Sequence, residues 1–163
     1  MCAQKLIFIA AIMASGFISA PVQASSQESR DKVRGKYLIE IGGCNDCHTA
    51  GFAQSGGATP ETDWLKGDSL GFRGPWGTTY PTNLRELIGE ISESEWVAKA
   101  KALKTRPPMP WWALNAMTEN DLVAIYRYVR SLGAVKNPVP AYVPPEKEPV
   151  TPYIQWPLPP EIN

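Results

Sequence analysis

Apolar residues recur at helical spacing in three places along the chain. From Arg30 onward Val33, Tyr37 and Ile41 stand four apart with Leu38 beside them, and Gly42-Gly43 ends the run, which predicts a first helix of about three turns. Gly35 lies in its middle, where glycine costs roughly 1 kcal/mol against alanine; it is either incidental or the mark of a close helix crossing. Ser92 and Glu95 have capping-box spacing, and Trp96, Val97, Ala100 and Leu103 form the buried face of a second helix behind them. Thr118 with Asp121 marks a third start, followed by Leu122, Ile125, Tyr126 and Val129 at i, i+3, i+4 and i+7, with an end near Gly133. This last pattern is the clearest. It is expected to pack on the first helix, with Gly35 and Tyr37 against Tyr126 or Val129. The fold class read from these patterns is all-α with three main helices.

The remaining stretches follow neither helical nor strand periodicity. Ser25 to Ser29 is polar and reads as disordered. Residues 49–83 are rich in glycine and turn formers and read as a long loop wrapped around something, with Phe52, Trp64, Leu65, Phe72, Trp76 and Tyr80 as apolar anchors. A loop of that length is expected only where there is a group to wrap. Nine of the 16 prolines fall at or after Pro138, with Tyr142, Tyr153, Ile154 and Trp156 spaced among them. That tail should be extended, and its apolar groups either pack back on the domain or bind another subunit.

Targeting signals then divide the chain. Lys5, the apolar run Leu6 to Ala14 and the small residues around Val22-Gln23-Ala24 have the order of a secretory signal peptide, with cleavage expected after Ala24. Cys2 would leave with the leader, and no stable membrane span is expected after cleavage, since the apolar core is shorter than the roughly 20 residues a bilayer needs. The expected organisation is a signal peptide over 1–24, one domain over 25–135 and a Pro-rich extended tail over 136–163. Lys and Arg together number 16, matched by 16 Asp and Glu, so nothing points to nucleic acid. The one basic cluster, Lys99, Lys101, Lys104 and Arg106, is either a solvated helix face or a docking patch for an acidic partner.

Candidate chemistry concentrates in Cys44-Asn45-Asp46-Cys47-His48. The C-x-x-C-H spacing is that of a covalent c-type haem site: two thiols add across the two vinyl groups of one porphyrin, and the following histidine binds iron. Zinc wants four ligands, and Cys44, Cys47 and His48 are the three that remain beyond the leader. A thioredoxin-like redox pair should sit between a strand and a helix of a βαβ unit, and no such pattern surrounds Cys44. Haem attachment of this kind belongs outside the bacterial cytoplasm, so the motif and the leader both point to the periplasm.

His48 is the single histidine of the chain, which excludes a second imidazole from the same chain on the other side of the iron. That position is Met, a weaker donor such as Lys, Asn or Tyr, or vacant. Beyond the leader only Met109 and Met117 remain. Met109 lies in Pro107-Pro108-Met109-Pro110, whose fixed φ angles hold a loop with little ordering cost, and it is the expected distal ligand; the alternative is a core methionine. Met117 precedes the N-cap Thr118 and is explained as a hydrophobic staple on Leu122.

These features resemble the class I c-type cytochromes. More narrowly, Gly74-Pro75-Trp76-Gly77-Thr78-Thr79-Tyr80-Pro81-Thr82-Asn83-Leu84, Met109-Pro110-Trp111, Met117 to Leu122 and Tyr126 to Leu132 are similar to the haem modules associated with periplasmic dehydrogenases acting on alcohols and sugar acids. The resemblance covers about Val33 to Val135 and implies a cytochrome c-like fold around one covalent haem c, with Cys44 and Cys47 as thioether links, His48 proximal and Met109 distal. It also implies that Trp76 to Asn83 lie against the haem and that Tyr80 or Asn83 hydrogen-bonds a propionate. Where the related modules continue with a Thr-Pro-Asp type turn, this chain has Leu84-Arg85-Glu86-Leu87. The function implied is one-electron transfer between a dehydrogenase or quinol oxidase as donor and an oxidase or other terminal acceptor; the alternative is a tightly bound haem subunit of one periplasmic oxidoreductase, with the tail as its binding arm.

Overall fold

Helix α1 (Val22–Ile41) and helix α6 (Glu119–Ser131) form the most extensive interface between elements of the protein. A computed structural model describes residues 22–156; the signal-peptide reading falls on residues 1–24, of which 1–21 lie outside the described residues. Gly35 sets the crossing. A Cβ placed there would stand 2.1 Å from the carbonyl oxygen of Ala124 and 2.7 Å from the Cβ of Tyr128, so the two backbones approach as closely as only glycine allows. The helix pair and the role of Gly35 agree with the sequence pattern, but the contacting residues on α6 are Ala124 and Tyr128.

The buried face of α1 differs from the expected one. Leu38 and Ile39 are buried, whereas Val33 is 71% exposed, Tyr37 48% and Ile41 61%. Gly35, Leu38, Ile39 and Gly42 also lie at i, i+3, i+4 and i+7, and only that stripe contains the residue that permits the close crossing. Tyr37 instead faces Arg34, whose guanidinium lies 5.4 Å from its ring and pairs with Asp121 at 3.0 Å. The stretch 25–29, expected to be disordered, is helical. Polar pairs one turn apart support it: Gln27 with Asp31 at 2.8 Å, Arg30 with Gln27 at 2.6 Å and Lys32 with Glu28 at 2.8 Å.

Helix α4 (Glu93–Ala102) opens on the expected capping box, Ser92 accepting from the Glu95 N–H while Glu95 accepts from the Ser92 N–H. Trp96 and Ala100 are buried, and the Trp96 indole donates to the Leu122 carbonyl at 2.8 Å, which fastens α4 to α6. Thr118 caps α6 by accepting from the Asp121 N–H at 3.1 Å, and Leu122, Ile125 and Val129 are buried as the pattern required. Past its end Gly133 adopts φ +78.

Three short helices accompany these: α2 (Cys44–His48), α3 (Leu84–Glu90) and α5 (Trp111–Ala116). The chain is helix-rich but carries a small sheet, which the all-α expectation did not include. Strand β1 (Gly71–Gly74) pairs antiparallel with β2 (Gly77–Thr79) across the two-residue turn Pro75-Trp76 and parallel with β3 (Tyr153–Gln155), in the order β2-β1-β3. Strands of three and four residues interrupted by glycine cannot display an alternation. The pairing of β1 with β3 joins residues some eighty positions apart, Gly71 with Tyr153. The described part of the tail therefore lies along the domain, and Val143 exchanges backbone hydrogen bonds with Thr78 at 2.7 and 3.0 Å.

Arg85, part of the Leu84–Leu87 departure, is buried. Its guanidinium donates to the carbonyls of Gly133 at 2.7 Å, Thr62 at 2.9 Å and Leu132. A fixed cation thus closes the carbonyl end of α6 and ties it to the loop and to α3.

Candidate functional site

Gly42 and Gly43 end α1 and turn the chain into α2. Gly43 takes φ +65, a left-handed conformation that glycine adopts without penalty, and Gly42 has no room for a side chain because a Cβ would lie 2.7 Å from the Leu38 carbonyl oxygen. Within α2 Cys44, Cys47 and His48 occupy i, i+3 and i+4, so both thiols and the imidazole share one helical face.

His48 is buried, and its Nδ1 lies 2.7 Å from the Thr82 carbonyl oxygen. A carbonyl can only accept, so Nδ1 carries the hydrogen and Nε2 keeps its lone pair. Burial pushes the His48 pKa down, against the opposing pull of that hydrogen bond, which favours the neutral imidazole a metal requires. The carbonyl of His48 accepts from Gly67 at 2.8 Å, and Thr49 accepts from the Leu65 N–H at 2.7 Å while donating to Asn45 at 2.8 Å. Leu65, fully buried, holds φ +62, and its carbonyl accepts from Leu84 at 3.0 Å. The loop after the motif is thereby pinned to α3 and to the Pro81–Asn83 segment.

Cys44 and Cys47 are half-buried and unpaired. Burial pushes the Cys44 thiol up to about 11 and raises Cys47 as well. Both thiols are therefore neutral in the protein as it stands, and among the described residues no group of three or more His, Cys, Asp and Glu side chains converges as a metal site. As thioethers they carry no charge to desolvate.

The three residues expected near the haem have different hydrogen-bond partners in the structure. Asn83 is buried with both ends of its amide engaged: Oδ1 caps α3 by accepting from the Glu86 N–H at 3.1 Å, and Nδ2 donates to Val135 at 2.7 Å. Tyr80 shares a 2.8 Å hydrogen bond with Thr151 of the tail. Trp76 is different. Its Nε1 is buried with no hydrogen-bond partner among the described residues, as is Nδ2 of Asn45. An orphan buried donor costs about 1–3 kcal/mol unless something accepts from it, so Trp76 has a hydrogen bond to offer that no described residue accepts. Paired thiols on one face and an imidazole locked with Nε2 available fit a haem c.

Met109 is half-buried and stands apart from the hydrophobic core, whereas Met117 packs against it. The Met109 loop is anchored just upstream, where Thr79 donates to the Pro107 carbonyl at 2.8 Å. Thr79 and Thr82, the residue that holds His48, are three residues apart, a span of at most about 11 Å. One short segment therefore tethers both candidate axial ligands. In the basic cluster, Lys101 donates to Asn115 at 3.3 Å and to the Met117 carbonyl, and Arg106 lies 3.8 Å above the Tyr142 ring; both have structural occupations that a run of charges does not reveal. Sequence reasoning also missed Thr82, because a backbone carbonyl leaves no residue-type signal, and Asn83 as a cap, although Asn83 with Glu86 three residues on has the spacing of one.

No family model matches the chain, and no solved structure matches it. Two curated relatives do: the proteins named alcohol dehydrogenase (quinone), cytochrome c subunit, of Gluconacetobacter polyoxogenes and of Komagataeibacter europaeus, each 30% identical over 164 residues covering 94% of this chain. The chain spans 31% of the length of each relative.

Proposed function

We propose that this chain, similar over 94% of its length to the cytochrome c subunits of quinone alcohol dehydrogenases, carries one electron on a single covalent haem c that Cys44 and Cys47 would hold, with His48 and Met109 as the iron ligands. The observation that carries this reading is the face of α2: two thiols and a tautomer-locked imidazole at i, i+3 and i+4. Haem in that site would supply a one-electron ferric/ferrous couple, and His48 with Met109 would hold the iron and raise its potential. The protein's own part is to hold His48 through Thr82, to bring up the Met109 loop through Thr79, to donate from Trp76 Nε1 to a propionate and to exclude water. Nothing in that set of tasks is bond-making chemistry, so the role is that of a carrier rather than a catalyst.

The proposed donor is a dehydrogenase or quinol oxidase and the acceptor an oxidase or another terminal carrier, met in the periplasm. Among the described residues no helix is long and apolar enough to cross a membrane. The names of the relatives favour a second reading in which the domain is a held subunit of one oxidoreductase; its co-purification with a larger catalytic chain decides between the two. The ligand set is tested by spectroscopy of the oxidised protein. Met109→Ala should abolish the methionine-to-iron charge-transfer absorption and lower the potential, while Met117→Ala should keep the band; the converse result overturns the assignment.

A further inference from the structure

We propose that the tail segment 141–156 is a strap that positions the distal-ligand loop, with Tyr142 as its principal positioning residue. This rests on the ligation by Met109 proposed above. Tyr142 is bonded at both of its working ends. Its hydroxyl donates to the Trp76 carbonyl at 2.9 Å, and its ring carries the Arg106 guanidinium at 3.8 Å, three residues ahead of Met109. The next residue, Val143, is joined to Thr78 by backbone hydrogen bonds in both directions, and Thr79 holds the Pro107 carbonyl. Arg106 and Pro107 are thus gripped from two sides, by the strap and by the strand the strap lies on.

The rest of the segment serves the same hairpin. Trp156 meets the Trp76 ring edge-on with centroids 6.0 Å apart. Arg73 donates to the Lys147 carbonyl at 2.7 Å and pairs with Glu148 at 2.9 Å. Gly77 makes room for all this: at φ +91, a Cβ there would lie 2.4 Å from the Val143 carbonyl oxygen and 2.8 Å from the Tyr142 ring. A proline-rich chain suits the task because its restricted φ angles leave little conformational entropy to lose on docking. With the strap in place the Met109 loop has few ways to swing out; without it, Arg106 and the Pro107 end lose one of their two anchors.

The test uses the full-length haem-loaded protein, and the readout is the rate at which added cyanide displaces the methionine, followed by loss of the charge-transfer band. Tyr142→Ala should retain the band at rest but accelerate displacement by about tenfold, the factor expected from losing an exposed cation–π contact together with a hydrogen bond. Tyr142→Phe keeps the ring beneath Arg106 and should fall between the two. Val150→Ala, at a fully exposed position of the same segment, should match the parent. Arg106→Ala removes the other half of the contact and should give a similar acceleration, and the double variant should gain little over either single one. A Tyr142→Ala rate within twofold of the parent, with the band present in the parent, overturns the strap. Absence of the band from the parent, or its survival in Met109→Ala, overturns the ligation on which the strap depends.

Discussion

Replacing Gly35 by alanine should destabilise the protein although helix propensity favours alanine by about 1 kcal/mol. The new Cβ would stand 2.1 Å from the Ala124 carbonyl oxygen and 2.7 Å from its carbonyl carbon. Both atoms are backbone in the middle of α6, so no rotamer can relieve the clash. The helices must separate by about 1 Å or more, and a gap of that order forfeits a quarter to half of the dispersion energy of each contact along it. Overpacking of this kind costs about 1–3 kcal/mol, occasionally more, and the close crossing places Gly35→Ala at the upper end. After the gain in propensity the net loss should be about 2 kcal/mol, or a fall of roughly 6–10 °C in Tm for a domain of this size. Urea unfolding of the haem-loaded protein, followed by far-UV circular dichroism and by haem absorbance, measures it. Ser29→Ala, on an exposed stretch of the same helix, serves as the reference and should raise stability by a few tenths of a kcal/mol. Equal or greater stability of Gly35→Ala would refute the argument that backbone contact, rather than side-chain pattern, sets this crossing.

Two further substitutions probe other parts of the frame. Arg85→Ala should cost about 3 kcal/mol, because three carbonyls at the end of α6 and in the loop lose a charged donor inside the protein, and Arg85→Lys should restore only part of it since an ammonium cannot fork to all three; chemical denaturation checks both. Glu61 accepts from Lys36 at 2.6 Å and from the Tyr128 hydroxyl at 2.8 Å, and these bonds, the Lys36 one foremost, hold its carboxyl below the usual range. A carboxyl with its folded pKa depressed stabilises the fold fully above the ordinary value of 4.5 and ceases to do so as pH falls through the folded pKa. Glu61→Gln should therefore lower the thermal midpoint at neutral pH and flatten its decline below about pH 4.5, whereas an unchanged acid limb would show that the pair contributes nothing there.

Local signals in the chain were accurate at two N-caps and along α6. Both N-caps, at Ser92 and Thr118, act as their spacing indicates, and the buried face of α6 is the one its periodicity describes, because side chains one turn apart meet regardless of context. For α1 the same reasoning picked the wrong stripe. Val33, Tyr37 and Ile41 are apolar at helical spacing, yet the face that packs is chosen by which backbone can come close, and a glycine adds nothing to a hydrophobic pattern.

By itself the sequence placed two cysteines and a histidine at the spacing that haem attachment would require, since C-x-x-C-H needs only that five consecutive residues form one turn of helix, and it offers no second histidine for the other side of an iron. The tertiary structure alone decided which carbonyl orients His48, which indole N–H is left without a partner among the described residues, and where the described part of the proline-rich tail lies. Those outcomes depend on Thr82, Trp76 and Tyr142 meeting residues tens of positions away, through backbone groups and ring faces that every sequence carries and no residue pattern encodes.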